Sequence, residues 1–430
     1  MKIEHYFKQA VFLLQENRLL SFISVAGTAF AIAMIMVVVI TLRASVSPLA
    51  PENNRDRMLL VKSMRCTSKA NENWKSHGPL SYTAGKECFK KLTTAEAVSL
   101  TTFSADEMLA SLPAGEKMSC DVKQVDADYW RIFRFAFLSG KPFTTADFEA
   151  GLPRVVITEK IARKLFGTTD GVGRTMLLNY AEYVVSGVVK NVSKLTSDAY
   201  AQAWVPFTST DMVNNQWNEN TMGTLRVYIL ARSADDFAAI RRESGLLCQR
   251  YNATLANYVV DYLEQPDTYF ESAKRYSSNN LPDIKGAVIT LIAAIAILLL
   301  VPAINLSGIT LSRMRKRLPE IGVRKAFGAT QGELMTQVLS ENLLLTLLGG
   351  AAGLLLSYAS LYLLSDMLFN SGSGGSYGVN GVNTVSTGLL FSPAVFFAAF
   401  GFCLLLNMLS AGIPAWRASR TTIVDALNQR

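Results

Sequence analysis

The sequence predicts an α-helical membrane protein with four transmembrane helices and a large mixed α/β extracytoplasmic domain between helices 1 and 2. Three observations predict it. Four largely charge-free apolar runs, at 19–42, 286–312, 342–365 and 393–413, each have the ~20 residues that cross a hydrocarbon core of about 30 Å. The first two are separated by residues 43–283, whose mixed polar and apolar composition is that of a water-soluble domain with a core of its own. Finally, the net charge of +8 is concentrated beside the apolar runs: residues 1–18, 313–341 and 417–430 hold twelve Lys/Arg against six Asp/Glu, which is +6 of the total. Basicity placed this way sets orientation in a membrane, with both termini cytoplasmic, and it argues against nucleic acid as a partner.

Residues 1–18 read as a cytoplasmic amphipathic helix. Ile3, Tyr6, Phe7, Ala10, Val11 and Leu14 recur three and four apart, while Lys2, Glu4, Lys8, Gln9 and Glu16 take the other face, as in a helix lying at the bilayer surface. The run at 19–42 exceeds the 7 to 15 residues of a signal-peptide core and no A-x-A site closes it, so it is expected to stay as an anchor.

Within 43–283, strands are expected at 58–64, 154–158, within 175–192, and at 225–232 and 258–264. Helices are expected at 82–91, 128–133, 159–166, 234–251 and 265–278, the last leading toward the second span. Pro282 should interrupt that helix between 279 and 283. Cys66, Cys88, Cys120 and Cys248 lie in this insert. An oxidising compartment would allow one or two disulfides, with three ways to pair four cysteines, and buried free thiols are the other reading. There is no CxxC, and His5 and His77 lie on opposite sides of the first span, so no zinc site is expected. GVGRT (171–175) lacks the Lys-Ser/Thr of a phosphate loop.

The second span ends on Arg313, Arg315, Lys316 and Arg317, a cytoplasmic exit. A helix of about nine residues, roughly 13 Å long, should follow from Pro319, with Glu320 at its positive end, Arg324 one turn on, and Gly328 as its stop. Thr330 and Glu333 then form a T-x-x-E capping box that starts a helix running into the third span. There Gly349, Gly350 and Gly353 permit close helix approach. Residues 366–392 have no Lys or Arg and are placed outside, and 414–430 form a cytoplasmic tail.

The string EIGVRKAFGA (320–329), with the glycine-rich helix after it, resembles the permease domain of MacB/FtsX/LolC-type ABC transporters. SGKPFTTADF, PRVVITEKIARKLFG, GVGRT and YVVSGVVKNV, in that order, are similar to the MacB-like periplasmic core domain, and the tail AGIPAWRASRTTIVDALNQR resembles the family ending, with Thr421-Thr422-Ile423 where a proline is common. The resemblance implies a bacterial inner-membrane subunit, paired with a second permease copy or paralogue, whose 319–327 helix docks on a separate ABC ATPase. Glu320, Ile321, Arg324, Lys325, Ala326 and Phe327 would make that contact. Helical extensions of spans one and two would carry the motion outward, a mechanism called mechanotransmission. Efflux of drugs or peptides, with a periplasmic adaptor and an outer-membrane duct, is the branch most resembled. Lipoprotein release and activation of a cell-wall hydrolase are the others.

Independently of resemblance, the chain has no G-x-x-x-x-G-K-[ST], so ATP would be bound by a partner and no cofactor is expected here. The spans hold no central ionisable residue, which disfavours an ion-coupled carrier. No catalytic constellation can be assembled, so an enzyme is not expected. A transmembrane sensor or scaffold is the alternative of a different class.

Overall fold

The computed structural model describes residues 18–113, 115–194, 196–275, 280–297, 300, 308, 323, 326–328, 330–370 and 393–420. The amphipathic stretch at 1–17, most of 298–322, the loop at 371–392 and the tail at 421–430 lie outside the described residues. The chain divides into a helical unit, holding the described parts of 18–43, 286–370 and 393–420, and an α/β unit holding 44–285.

In the helical unit, α1 is Arg18–Val46 and two long helices follow at Gln331–Asn370 and Pro393–Arg420. Ser21–Ile40 and Gln331–Leu363 are long and apolar enough to cross a membrane, while Ile284–Ile297 and Phe396–Leu405 are shorter apolar helices. The three long helices share one core of Ile32, Ile35, Met36, Ile40, Leu361 and Cys403. Glycines set how closely they approach. A Cβ at Gly349 would lie 2.7 Å from Thr28 Cβ, one at Gly353 would lie 2.8 Å from the Ala29 carbonyl oxygen, and one at Gly350 would lie 2.5 Å from the Phe400 ring.

The α/β unit contains an eleven-stranded sheet and a three-stranded one. The strands are β1 (Met58–Val61), β2 (Met64–Ser68), β3 (Lys75–Gly78), β4 (Ala97–Thr102), β5 (Asp106–Ser111), β6 (Met118–Val125), β7 (Phe137–Gly140), β8 (Arg154–Thr158), β9 (Thr175–Leu178), β10 (Ala181–Val189), β11 (Ala203–Pro206), β12 (Leu225–Leu230), β13 (Tyr258–Asp261) and β14 (Asp267–Thr268). In the large sheet β11, β8, β10, β9, β5 and β6 pair in succession, and a parallel pairing of β11 with β6 closes the circuit into a ring. Alternate residues from the ring strands, among them Cys120 and Val122, Val155 and Ile157, Met176 and Leu178, and Ala203 and Val205, form one buried cluster. A period of two places each such pair on one face, so the ring closes over its own apolar filling. From β6 the sheet continues through β4, β12 and β1 to β14.

Local sequence explains several of these elements. In PRVVITEKIARKLFG the β-branched run makes β8, Thr158 turns the chain, and the helix Glu159–Phe166 stops at Gly167, whose φ of +71° suits a residue without a Cβ. The helix expected at 82–91 is split into an α-helical turn, Tyr82–Gly85, and a π-helical one, Lys86–Lys90.

The segment expected as a helix over 265–278 needs correction. Among the described residues it pairs as the edge strand β14, is helical over Tyr269–Lys274, and leaves the helix at Arg275 with φ −74° and ψ 96°. Arg275 is drawn back by both oxygens of Asp267, at 2.6 and 2.8 Å, and by the Leu263 carbonyl at 3.1 Å. Residues 280–283 are non-helical, as Pro282 requires, and a helix resumes at Ile284.

The close approach at Gly353 can be measured. Gly353→Leu should destabilise the detergent-solubilised chain by about 1–3 kcal/mol, as overpacking does. Gly401→Ala, with no atom within 4 Å of its added Cβ, should change stability by less than about 0.5 kcal/mol. Equal thermal unfolding of the two variants would show that these helices do not pack through Gly353.

Candidate functional site

Two places carry functional geometry. The first is the turn at 326–328, at the end of the short segment expected from the sequence to be cytoplasmic. Of the residues expected to meet an ATPase, Glu320, Ile321, Arg324 and Lys325 lie outside the described residues, and Ala326 and Phe327 are described. Ala326 is helical and exposed. Phe327 follows in the turn, its amide bonded to the Val323 carbonyl at 3.1 Å and its side chain 89% exposed. Gly328 takes φ +91° and reverses the chain. The capping box forms as its sequence requires: the Thr330 amide donates to Glu333 at 3.2 Å, and the Glu333 amide donates to Thr330 Oγ1 at 3.3 Å. Phe327 is the most exposed of the large apolar side chains described in the chain.

The second place is the root of the α/β unit, where the chain that has just left α1 meets the chain that will enter the helix at 284. Glu52 is fully buried there. Its carboxylate accepts from Arg55 Nε at 2.7 Å, from the Tyr269 hydroxyl at 2.9 Å and from the Ala199 amide at 2.8 Å. Arg55 also donates to the Ser47 carbonyl at 2.9 Å and stacks on the Tyr269 ring, 4.5 Å from its centre. Strand pairing reinforces this junction, because β14 lies on β1 with Leu59 opposite Thr268 and Leu60 opposite Asp267. Lys62 Nζ donates to the Ser272 carbonyl at 3.2 Å, and the Lys62 amide donates to Gln265 at 2.9 Å.

Beside Glu52 lies a second buried carboxylate, Asp198. It accepts from the Tyr228 hydroxyl at 2.8 Å and pairs with Arg226 at 3.7 Å, while Lys123 Nζ donates to its backbone carbonyl. Burial alone would push the Asp198 carboxyl up, but the cations Lys62, Arg226 and Lys123 prevail and hold it below the usual range. At Glu52 burial prevails, and its pKa is raised despite Arg55. Burial pushes the Lys123 ammonium down to about 8, with Asp198 opposing and Arg226 assisting. The arrangement ties sequence-distant parts of the chain into one buried hydrogen-bonded joint.

Comparison with known proteins identifies the architecture. The MacB-like periplasmic core domain profile matches residues 21–244, slightly more than half of the chain, and the FtsX-like permease C-terminal profile matches 292–423. The chain belongs to the MacB/FtsX-type ABC transporter permeases. Among relatives, the permease is 26% identical over 339 residues to the uncharacterized ABC transporter permease YknZ of Bacillus subtilis, covering 79% of this chain and 77% of that one. It is 27% identical over 314 residues to the macrolide export ATP-binding/permease protein MacB 1 of Yersinia pestis, covering 72% of this chain and 43% of the relative, so the alignment spans less than half of that protein. The extracellular domain of YknZ from Gram-positive bacteria aligns over 46% of this chain and 99% of its own, at 19% identity and a TM-score of 0.34. Neither matching profile describes an ATPase domain.

In this permease the root joint carries no sequence motif. Glu52, Asp198, Lys123 and Tyr269 are isolated polar residues spread over more than half of the chain, and only the fold shows that they meet. The joint yields two expectations. Glu52→Ala leaves Arg55 buried without its carboxylate and should destabilise the α/β unit by about 3–5 kcal/mol, while Glu52→Leu with Arg55→Met should recover much of that loss. A single-variant loss below about 1 kcal/mol in thermal or denaturant unfolding would contradict it. For Lys123 the sign follows from its lowered pKa: from pH ~8 to ~10 the unfolded chain keeps this proton and the native chain does not, so stability rises with pH through this group. The stability of Lys123→Met relative to the native chain should therefore fall from pH 7 to 10. Asp198 stays ionised throughout, and buried tyrosines and thiols titrate alike in both proteins, so a flat difference would refute it.

Proposed function

We propose that this permease passes ATP-driven motion of a separate ATPase subunit to its extracytoplasmic α/β domain, working as a dimer with four spans per chain and both termini in the cytoplasm. The observation that carries the reading is Phe327, exposed on the turn that closes EIGVRKAFGA. A hydrophobic ring that follows Arg324 and Lys325 in the sequence is suited to a pocket with an acidic rim on a soluble partner, in which burial of the ring supplies affinity and the cations supply orientation. No phosphate-binding loop occurs in the chain, so hydrolysis belongs to that partner.

The output side of the proposal rests on the root joint. The segment that follows α1 and the segment at 267–275 meet at Glu52, Arg55 and Tyr269, so under the proposal a displacement delivered through either reaches the same buried carboxylate. The work is proposed to serve export of a substrate, the activity named for the macrolide exporter MacB among the relatives. A periplasmic adaptor and an outer-membrane duct would then be further partners.

The test is co-purification from native membranes with identification of bound proteins. Phe327→Asp, and Arg324→Glu with Lys325→Glu, should each lower the recovered ATPase by about tenfold or more, as loss of an interface hot spot does, with membrane insertion unchanged. An undiminished yield of ATPase with all three changes would sink the docking role. Recovery of a lipoprotein carrier or a cell-wall hydrolase in place of an adaptor would redirect the export reading.

A further inference from the structure

Four cysteines in the α/β unit leave three pairings open on sequence grounds, and the structure separates them. All four are buried thiols. Cys120 lies on β6 inside the ring cluster, away from the other three, which belong to the core that packs on the small sheet. Cys66 on β2 has its sulfur 3.5 Å from Thr221 Oγ1. Cys88 lies in the π-helical turn Lys86–Lys90, and Cys248 lies on the helix Phe237–Thr254 that packs against that turn. Both thiols belong to one buried cluster, and each is the largest influence on the other's ionisation, as neighbouring side chains are.

Cys248 is held in place from its other side. Its sulfur lies 3.6 Å from the Val260 carbonyl oxygen and 3.7 Å from Asn252 Nδ2. Asn252 in turn grips the backbone of Val260 with both ends of its amide, each bond 2.8 Å, so helix and strand β13 keep a fixed spacing around the thiol. On the Cys88 side, Phe89 packs edge-on against Tyr262, with ring centres 4.9 Å apart.

We infer that Cys88 and Cys248 form a structural disulfide in the mature permease, and that Cys66 and Cys120 stay reduced. The α/β domain of this family is extracytoplasmic, where such bonds persist. Two thiols give up two hydrogens and form one S–S bond; the two electrons and two protons pass to the disulfide of an extracytoplasmic thiol–disulfide oxidant, which leaves as a dithiol. Because Cys88 is wholly buried in the finished fold, the exchange takes place while the domain folds. The bond closes a loop of about 160 residues that contains β4 to β12, and so the entire ring. It pins the helical turn before the ring to the helix after it.

The test uses the full chain, expressed in a host with an oxidising extracytoplasmic compartment. Membranes are solubilised in denaturant with N-ethylmaleimide, so that every free thiol is labelled, and the protein is digested with trypsin without reductant. The expected product joins peptide 87–90 to peptide 243–250, lighter than their sum by two hydrogens, while peptides 66–69 and 118–123 carry the label. Label on both Cys88 and Cys248, or a link from either to another cysteine, overturns the inference. Reductant should lower the unfolding temperature by about 5–15 °C, the effect of losing a long-loop disulfide in a domain of this size. The Cys88→Ser, Cys248→Ser variant should start low and not respond, and a native chain indifferent to reductant also overturns the proposal. The inference rests on the domain's compartment and not on ATPase docking. Labelling of Glu116→Cys by an impermeant maleimide in intact cells reports that compartment separately, so failure of the disulfide leaves the docking proposal standing.

Discussion

The fully buried carboxylate of Glu52 is the constraint around which the α/β unit is arranged. An ion taken out of water must be met by partners of good geometry, or it costs several kcal/mol. Here the partners come from three parts of the chain: Arg55 from the segment after α1, Tyr269 from the segment before the helix at 284, and the Ala199 amide from the loop before β11. None can move alone without leaving the charge unpaired. A buried ion pair seldom adds net stability over a well-packed apolar core, but it strongly penalises wrong arrangements. Its value in this permease is therefore positional. It fixes where the two links enter the domain relative to each other and to the ring.

The same reasoning bears on the shortness of the segment before 284. The sequence predicts a helix over 265–278, because YFESAK has both helical spacing and a T-x-x-E capping box at Thr268 and Glu271. The box forms, yet the helix ends at Lys274. Arg275 gives up helical geometry to reach Asp267, and both side chains are almost wholly buried. Local helix propensity is worth tenths of a kcal/mol per residue, whereas a buried bidentate Arg–carboxylate pair is worth several times that once the site is closed to water. Tertiary electrostatics outweighs local preference, and the chain is anchored at Arg275.

Much of the fold was legible where one face of an element meets water or where caps mark its ends. β8 and its following helix, β10, β12 and the Thr330 cap follow from alternation, β-branched runs and capping residues. Strands β4, β5, β6 and β11 were not. β4, AVSLTT, is buried on both faces and shows no alternation, and β6, MSCDVKQV, carries Asp121 and Lys123 on a face that a sequence assigns to solvent. Lys123 is 1% exposed and is tolerated only because Asp198, more than 70 residues away, lies beside it. The family string at 320–329 could be read directly, since it depends on contiguous residues. The root joint could not, since its members are brought together by ring closure and carry no spacing of their own.

The stiffness of the long helix after Gly328 has a similarly simple origin. The helix Gln331–Asn370 has 40 residues, so it is about 60 Å long, twice the thickness of a hydrocarbon core. Its first eleven residues precede the apolar run and are continuous with it, with no proline or non-helical residue between them. The helix therefore has no break between Gln331 and the glycines at 349–353, where it packs on Thr28, Ala29 and Ile32 of α1. Under the proposed coupling, a push delivered at Gln331 reaches α1 through the backbone hydrogen bonds of this helix and its direct contact with Thr28, Ala29 and Ile32.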